Sequence, residues 1–191
     1  MTDTANYERP GFGDYEVTDE AVIPAPVDEV WAVLSDLATW LDWWTLIRVI
    51  PLDSDAPTVV HPGQRFRIEG SRPGATETRG WNVAVREVVA NERIELEYTD
   101  GDLVGRTAWE LEAVPDGTLA KYIYRGVHAT VEQSAATFAK YGTRLHSTAM
   151  ACDALAGLAR AVAGEPLDDE WRADVQRRMA AGVSALDFMS G

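Results

Sequence analysis

This sequence predicts an α+β fold: seven antiparallel strands, two short helices after the first strand, a long helix, and an extra C-terminal helix. Three observations carry that reading. A β-rich run at 15–23 gives way to a helical apolar pattern at 25–44. From 45 to 129, β-branched and aromatic residues alternate with polar ones between closely spaced turn signals. Within 131–164 about 30 residues pass without proline, in helical texture. At 191 residues, 46% hydrophobic and 25% charged, the chain is large enough to bury a sizeable core.

The elements follow in order. Residues 1–14 read as a flexible leader, with neither the basic start nor the apolar block of a secretory signal. The first strand, "YEVTDEAVI", stops at "PAP". Pro26 suits the opening of a helix, where a missing N–H costs nothing, and Asp28 and Glu29 favour its positive end. Val27, Val30, Trp31 and Leu34 then form one helical stripe. Ser35 or Asp36 can cap a second short helix with a stripe of Leu37, Trp40, Leu41 and Trp44, which leaves Trp43 off both stripes. Six further strands are expected: "LIRVIPL", "QRFRIEG", "RGWNVAVREV", "RIELEY", "LVGRTAWELEAV" and "TLAKYIYRGV". Asp100-Gly101 and Asp116-Gly117 read as hairpin turns. The long helix stops at Gly164 and Pro166. Residues 165–191 form a helical extension with a seam of Trp171, Val175, Met179, Val183 and Leu186, which docks on its own domain or on a second copy in a homodimer.

Strand periodicity assigns the faces. Phe66 and Ile68, Trp81, Val83 and Val85, Ile94, Leu96 and Tyr98, and Thr107, Trp109 and Leu111 turn inward. On the last strand the charges of Lys121 and Arg125 mark the outside. Tyr122, Tyr124 and His128 then line the inside, and Leu119 and Ile123 face out. The long helix would meet this face with Phe138, Gly142, Leu145, Ala149, Cys152, Ala156 and Ala159, a stripe of mostly small residues. Small residues allow either close helix–sheet approach or empty volume.

Two motifs, "I-x-A-P-x-x-x-V-W" at 23–31 and "D-L-x-x-W-x-x-W" at 36–43, precede a "D-G-T" at 116–118 that starts the last strand. With the element order, residues 15–164 resemble the START-like, or SRPBCC, superfamily. It includes polyketide cyclase/dehydrase and lipid-transport proteins and Bet v 1-like proteins. The resemblance implies a helix-grip fold, with a curved sheet wrapped on the long helix and a cavity between them. It turns Trp43, on the recurrent motif position, inward to the base of that cavity. The ligand-binding candidates are then Trp43, Trp81, Tyr98, Trp109, Phe138 and Leu145: an aromatic, mostly apolar lining suited to a small hydrophobic molecule.

The chemistry-bearing candidates are few. Tyr122 and Tyr124 can donate to a carbonyl oxygen and stabilise an enolate, the main demand of aldol cyclisation. His128 and His146 can act as general acid or base near neutral pH, whereas His61 lies in a loop. The resemblance points to a polyketide cyclase/dehydratase-type enzyme for an aromatic or polyketide-like molecule. The competing class is a non-catalytic carrier or sensor of a hydrophobic ligand. No "GxSxG", "GxGxxG" or "GxxxxGK[ST]" motif supports covalent hydrolysis, dinucleotide or nucleotide chemistry. The three histidines are too far apart for metal-ligand spacing, so no metal or cofactor is expected. The single cysteine, Cys152, excludes an internal disulfide and fits a cytoplasmic setting. A formal charge of −14 with scattered basic residues argues against nucleic acid. No apolar run is long enough for membrane insertion.

Overall fold

The computed structural model describes residues 16–53, 58–70, 78–101, 103–128 and 150–181. The leader, most of the long helix with Phe138, Leu145 and His146, and the end of the final seam with Val183 and Leu186 lie outside them. The strands are β1 (Glu16–Ile23), β2 (Ile47–Pro51), β3 (Arg65–Gly70), β4 (Arg79–Val89), β5 (Arg93–Gly101), β6 (Leu103–Val114) and β7 (Gly117–His128). The helices are α1 (Val27–Leu34), α2 (Trp40–Trp43), α3 (Ala156–Val162), which continues a wide π-helical stretch at Met150–Leu155, and α4 (Asp169–Ala181).

One curved antiparallel sheet runs β1-β7-β6-β5-β4-β3-β2. Strands β2 to β7 form a meander in which sequence neighbours pair, and β1 closes on β7. Register shifts between Asn82/Val83 and Val85/Glu87 interrupt the β4–β5 ladder, and such irregularities bend and twist a sheet. On β3 to β7 most of the residues that alternation turns inward are buried: Phe66, Ile68, Val83, Val85, Ile94, Leu96, Tyr98, Thr107, Trp109, Leu111, Tyr122 and Tyr124. Trp81 is half-buried, as are the outward-facing Leu119 and Ile123. The opposite face carries charge. There Arg86 pairs with Glu97 at 3.2 Å, and Arg93 with Glu95 at 2.7 Å.

Two local expectations are adjusted. Asp100 and Gly101 lie in the reversal from β5 to β6, beyond the last pair Tyr98–Gly105, but they also extend β5 and pair with Asn82 and Trp81 of the long β4 strand. At the other hairpin, Val114 pairs with Gly117, so Pro115 and Asp116 make the turn. Gly117 there has φ +136°, and a Cβ would strike the Ile23 carbonyl, so only glycine suits the position.

The second correction concerns α2. Its inward face is Trp40, Trp43 and Trp44, and Leu41 is 44% exposed. The chain after α1 does not enter a helix at Ser35 or Asp36. Asp36 instead bridges to Val59, its side chain accepts from Ala38 N at 3.1 Å, and Leu37 N donates to Thr58 O at 2.9 Å. The helix therefore begins late, at Trp40, lasts one turn, and takes a new phase. Trp43 is fully buried, as the resemblance implies.

The helical layer approaches this turn very closely. A Cβ on Gly157 of α3 would fall on the Trp43 carbonyl oxygen. Gly157→Ala gains helix propensity of about 1 kcal/mol, but the added methyl meets backbone that no rotamer change can move, and overpacking costs about 1–3 kcal/mol or more. The expected result is a net loss of roughly 2 kcal/mol in urea unfolding with an unchanged slope. A neutral or stabilised variant would contradict the packing. Beyond Gly164 (φ +68°), α4 returns to its own domain. Trp171 and Val175 are buried with Ala156 and Leu167, and the Arg160 guanidinium lies 4.7 Å over the Trp171 ring. No helix among the described residues is long and apolar enough to cross a membrane.

Candidate functional site

The inner face of the sheet is built in two zones. The first is an aromatic block under α2. Trp40 meets Trp43, Trp44 and Phe66 at ring separations of 5.9, 5.6 and 6.1 Å. Trp43 stacks on Trp44 at 5.8 Å, and both meet Trp109 edge to face. The Trp40 indole N–H donates to Leu34 O at 2.8 Å. The Trp43 N–H donates to the Thr39 hydroxyl at 3.1 Å. Period-two geometry brings Trp109 of β6 directly opposite Tyr122 of β7, with ring centroids 4.9 Å apart.

The second zone is polar at its centre. The Tyr98 and Tyr122 hydroxyls are 3.0 Å apart and hydrogen-bonded. Tyr98 also contacts the rings of Trp81 and Tyr124, each at 5.9 Å. Thr107 lies opposite Tyr124, and its hydroxyl donates to Ile123 O at 2.8 Å. In the next row Gly105 of β6 lies between Tyr98 of β5 and Gly126 of β7, and a glycine pair brings no side chain to the sheet surface beside Tyr98. Burial holds the Tyr98 phenol well above its ordinary 10.0, reinforced by neighbouring Tyr122 and Tyr124. Burial also raises Tyr122; hydrogen bonding with Thr107 and Tyr98 offsets part of this, and the nearby charge of Asp19 adds to it. Both phenols therefore keep their protons at neutral pH and can act as hydrogen-bond donors.

Asp19 was not among the residues singled out from the sequence. It sits on β1 directly opposite Tyr122 and is 5% exposed. The signal was present: Asp19 shares its strand face with Ala21 and Ile23, both buried. Asp153 was also missed. Fully buried in the π-helical stretch, it accepts from Thr45 N at 2.9 Å, the Thr45 hydroxyl at 2.6 Å and Leu46 N at 2.9 Å. Burial pushes its carboxyl up to about 6, against those hydrogen bonds. It ties the C-terminal helical layer to the chain leaving α2. The indole N–H groups of Trp81 and Trp109 are buried and make no hydrogen bond among the described residues.

The structure thus brings together Trp43, Trp81, Tyr98, Trp109, Tyr122 and Tyr124. His128 ends β7 opposite Leu103, with its side chain outside the described residues, as are Phe138, Leu145 and His146 altogether. His61 is exposed in its loop. Among the described residues no three His, Cys, Asp or Glu side chains converge to hold a metal ion.

The model of a family described as polyketide cyclase/dehydrase and lipid transport matches residues 14–187, a span that includes α4. No curated protein matches the sequence. Among solved structures, the Zhui aromatase/cyclase from Streptomyces sp. R1128 aligns with a TM-score of 0.62 at 16% identity, covering 79% of this chain and 94% of that one. A protein of unknown function from Staphylococcus aureus gives 0.58 at 13% identity, over 80% and 95%. Protein CV1439 from Chromobacterium violaceum gives 0.52 at 17% identity, over 77% and 96%. At these identities the likeness is one of fold.

Proposed function

Because the chain belongs to the polyketide cyclase/dehydrase and lipid transport family, we propose that it binds a hydrophobic, aromatic or polyketide-like molecule against the inner sheet face and acts on it as a cyclase or dehydratase. One observation carries the reading: a hydrogen-bonded pair of buried phenols, Tyr98 and Tyr122, set in an otherwise aromatic wall. A site that only carries an apolar molecule gains nothing from burying two hydroxyls, since each polar group costs desolvation. The indole N–H groups of Trp81 and Trp109, without a hydrogen-bond partner among the described residues, add donors, suited to a ligand rich in oxygen acceptors. That the Zhui protein of similar fold is an aromatase/cyclase supports the same class of chemistry.

In this reading the apolar wall orients a flexible poly-oxo chain. The phenols of Tyr122 and Tyr124 donate to the carbonyl oxygen on which charge develops. His128 and His146 supply the proton that a departing hydroxyl needs. No metal or cofactor enters.

Native mass spectrometry of the protein purified from its own host is expected to show one bound aromatic, oxygen-rich molecule per chain. A saturated acyl lipid in that place would refute the substrate class. With the precursor of the bound molecule as substrate, Tyr124→Phe and His128→Ala are each expected to lower turnover about 100-fold. Undiminished turnover in both variants would remove these roles. Binding without any turnover would make the protein a carrier.

A further inference from the structure

We infer that Asp19 is the general base of this site, the group that takes the proton from carbon, with the Tyr122–Tyr98 pair beside it as the oxygen-binding partner. The inference rests on the proposed ligand reaching the inner sheet face.

It starts from a strand that breaks its own pattern. In "EVTDEAVI", Thr18, Glu20 and Val22 face out and are exposed, whereas Asp19, Ala21 and Ile23 face in and are buried. Packing alone would favour valine or isoleucine at the third inward place. A carboxylate there carries a desolvation cost, which sets Asp19 apart from the apolar residues that share its strand face. Its position has a chemical sense. Asp19 is the direct cross-strand neighbour of Tyr122, and Tyr124 is the diagonal one, opposite Val17. Directly opposed residues on one sheet face stand within contact of each other's side chains. The carboxylate's charge is felt at the Tyr122 phenol, whose hydroxyl meets that of Tyr98 at 3.0 Å.

Enolisation of a 1,3-dicarbonyl asks for this pairing: a base beside the acidic carbon and donors beside the oxygen. Asp19 takes the proton from the carbon between two carbonyls. The C–H electron pair becomes the new C=C bond, and the C=O π pair moves to oxygen, where the phenols donate. The enolate carbon then attacks a second carbonyl of the same chain. A C–C bond forms, that carbonyl's π pair becomes an alkoxide, and the proton held by Asp19 returns to it. Atoms and electrons balance with no oxidant or reductant.

The probe for an accessible carboxylate base in an apolar site is 5-nitrobenzisoxazole. A base removes its ring C–H proton, the C–H pair forms the nitrile as the N–O bond breaks, and a coloured 2-cyano-4-nitrophenolate leaves. Binding is read separately, through quenching of the buried tryptophans by the same compound. The wild-type protein is expected to bind the probe and to give saturable elimination. Asp19→Asn should keep the quenching and lose the elimination about 100-fold, in the range of a lost general base. Asp19→Glu should keep part of it. Glu20→Gln, on the opposite strand face, should match the wild type. If Asp19→Asn does not fold, Asp19→Ser, judged first by circular dichroism, replaces it. Quenching with elimination unaffected by the Asp19 substitutions would overturn the base while leaving the binding site standing. No quenching by the probe, or by 1,8-dihydroxyanthraquinone as a larger aromatic, would overturn the proposed binding site and this inference with it.

Discussion

Trp40→Ala is expected to destabilise the protein by about 5 kcal/mol, the upper end for removal of a buried tryptophan. Trp40 is fully buried and touches three other aromatic rings. Aromatic pairs contribute about 0.5–1.5 kcal/mol each beyond area burial. Its N–H also satisfies the Leu34 carbonyl at the end of α1, and a stranded buried acceptor costs about 1–3 kcal/mol. With roughly 2–4 °C per kcal/mol for a chain of this size, the melting temperature should fall about 15 °C. Trp40→Phe should lose about 2 kcal/mol, because the hydrogen bond goes and most of the ring remains. A loss under about 1 kcal/mol for the alanine variant would mean that the block under α2 is not the packing centre.

Asp153 gives the second large effect, and its sign runs against the common behaviour of carboxylates. Its folded-state value, about 6, lies above the ordinary 3.8. The folded state therefore binds its proton more tightly than the unfolded chain does. The stability it contributes is full below about 3.8 and is lost as pH rises through about 6. The difference amounts to about 3 kcal/mol. The test is the pH dependence of unfolding free energy in the wild type minus that of Asp153→Asn. The wild type should lose about 2 kcal/mol relative to the variant between pH 4 and pH 7. A flat difference would show that the bonds from Thr45 and Leu46 already hold the carboxylate charged.

The sheet and its faces were legible because a period of two is written directly into each strand. Charges at Arg106, Glu110 and Glu112 fixed the orientation of β6. On β7 the same rule placed two tyrosines inside and two aliphatics outside, against simple hydrophobicity, and it held. Periodicity failed where a tertiary contact resets the backbone. The bridge between Asp36 and Val59 delays α2 and moves its apolar face from Leu41 to Trp43. Asp100-Gly101 does mark the β5–β6 reversal, but strand pairing runs further into it than a turn signal suggests, because the long β4 strand still pairs with both residues. The tyrosines and tryptophans of the candidate site were visible from strand phase. Asp19 was visible by the same phase but calls for reading β1 as a face rather than only as a strand. Asp153 was not visible, because one acid in a run of alanines does not reveal whether it points to water or to a neighbouring loop.

The closing of β1 on β7 also orders events in time. Every other strand pair joins sequence neighbours and can form as a local hairpin. Asp19 and Tyr122 are about a hundred residues apart in the chain, and their pairing must wait for a loop closure of that length. The juxtaposed carboxylate and phenol thus depend on the pairing that closes the longest loop in the sheet, and a chain in which β1 has not docked holds the two groups apart. A circular permutant in which β1 follows β7 would convert this pairing into a hairpin and assemble the same chemistry early.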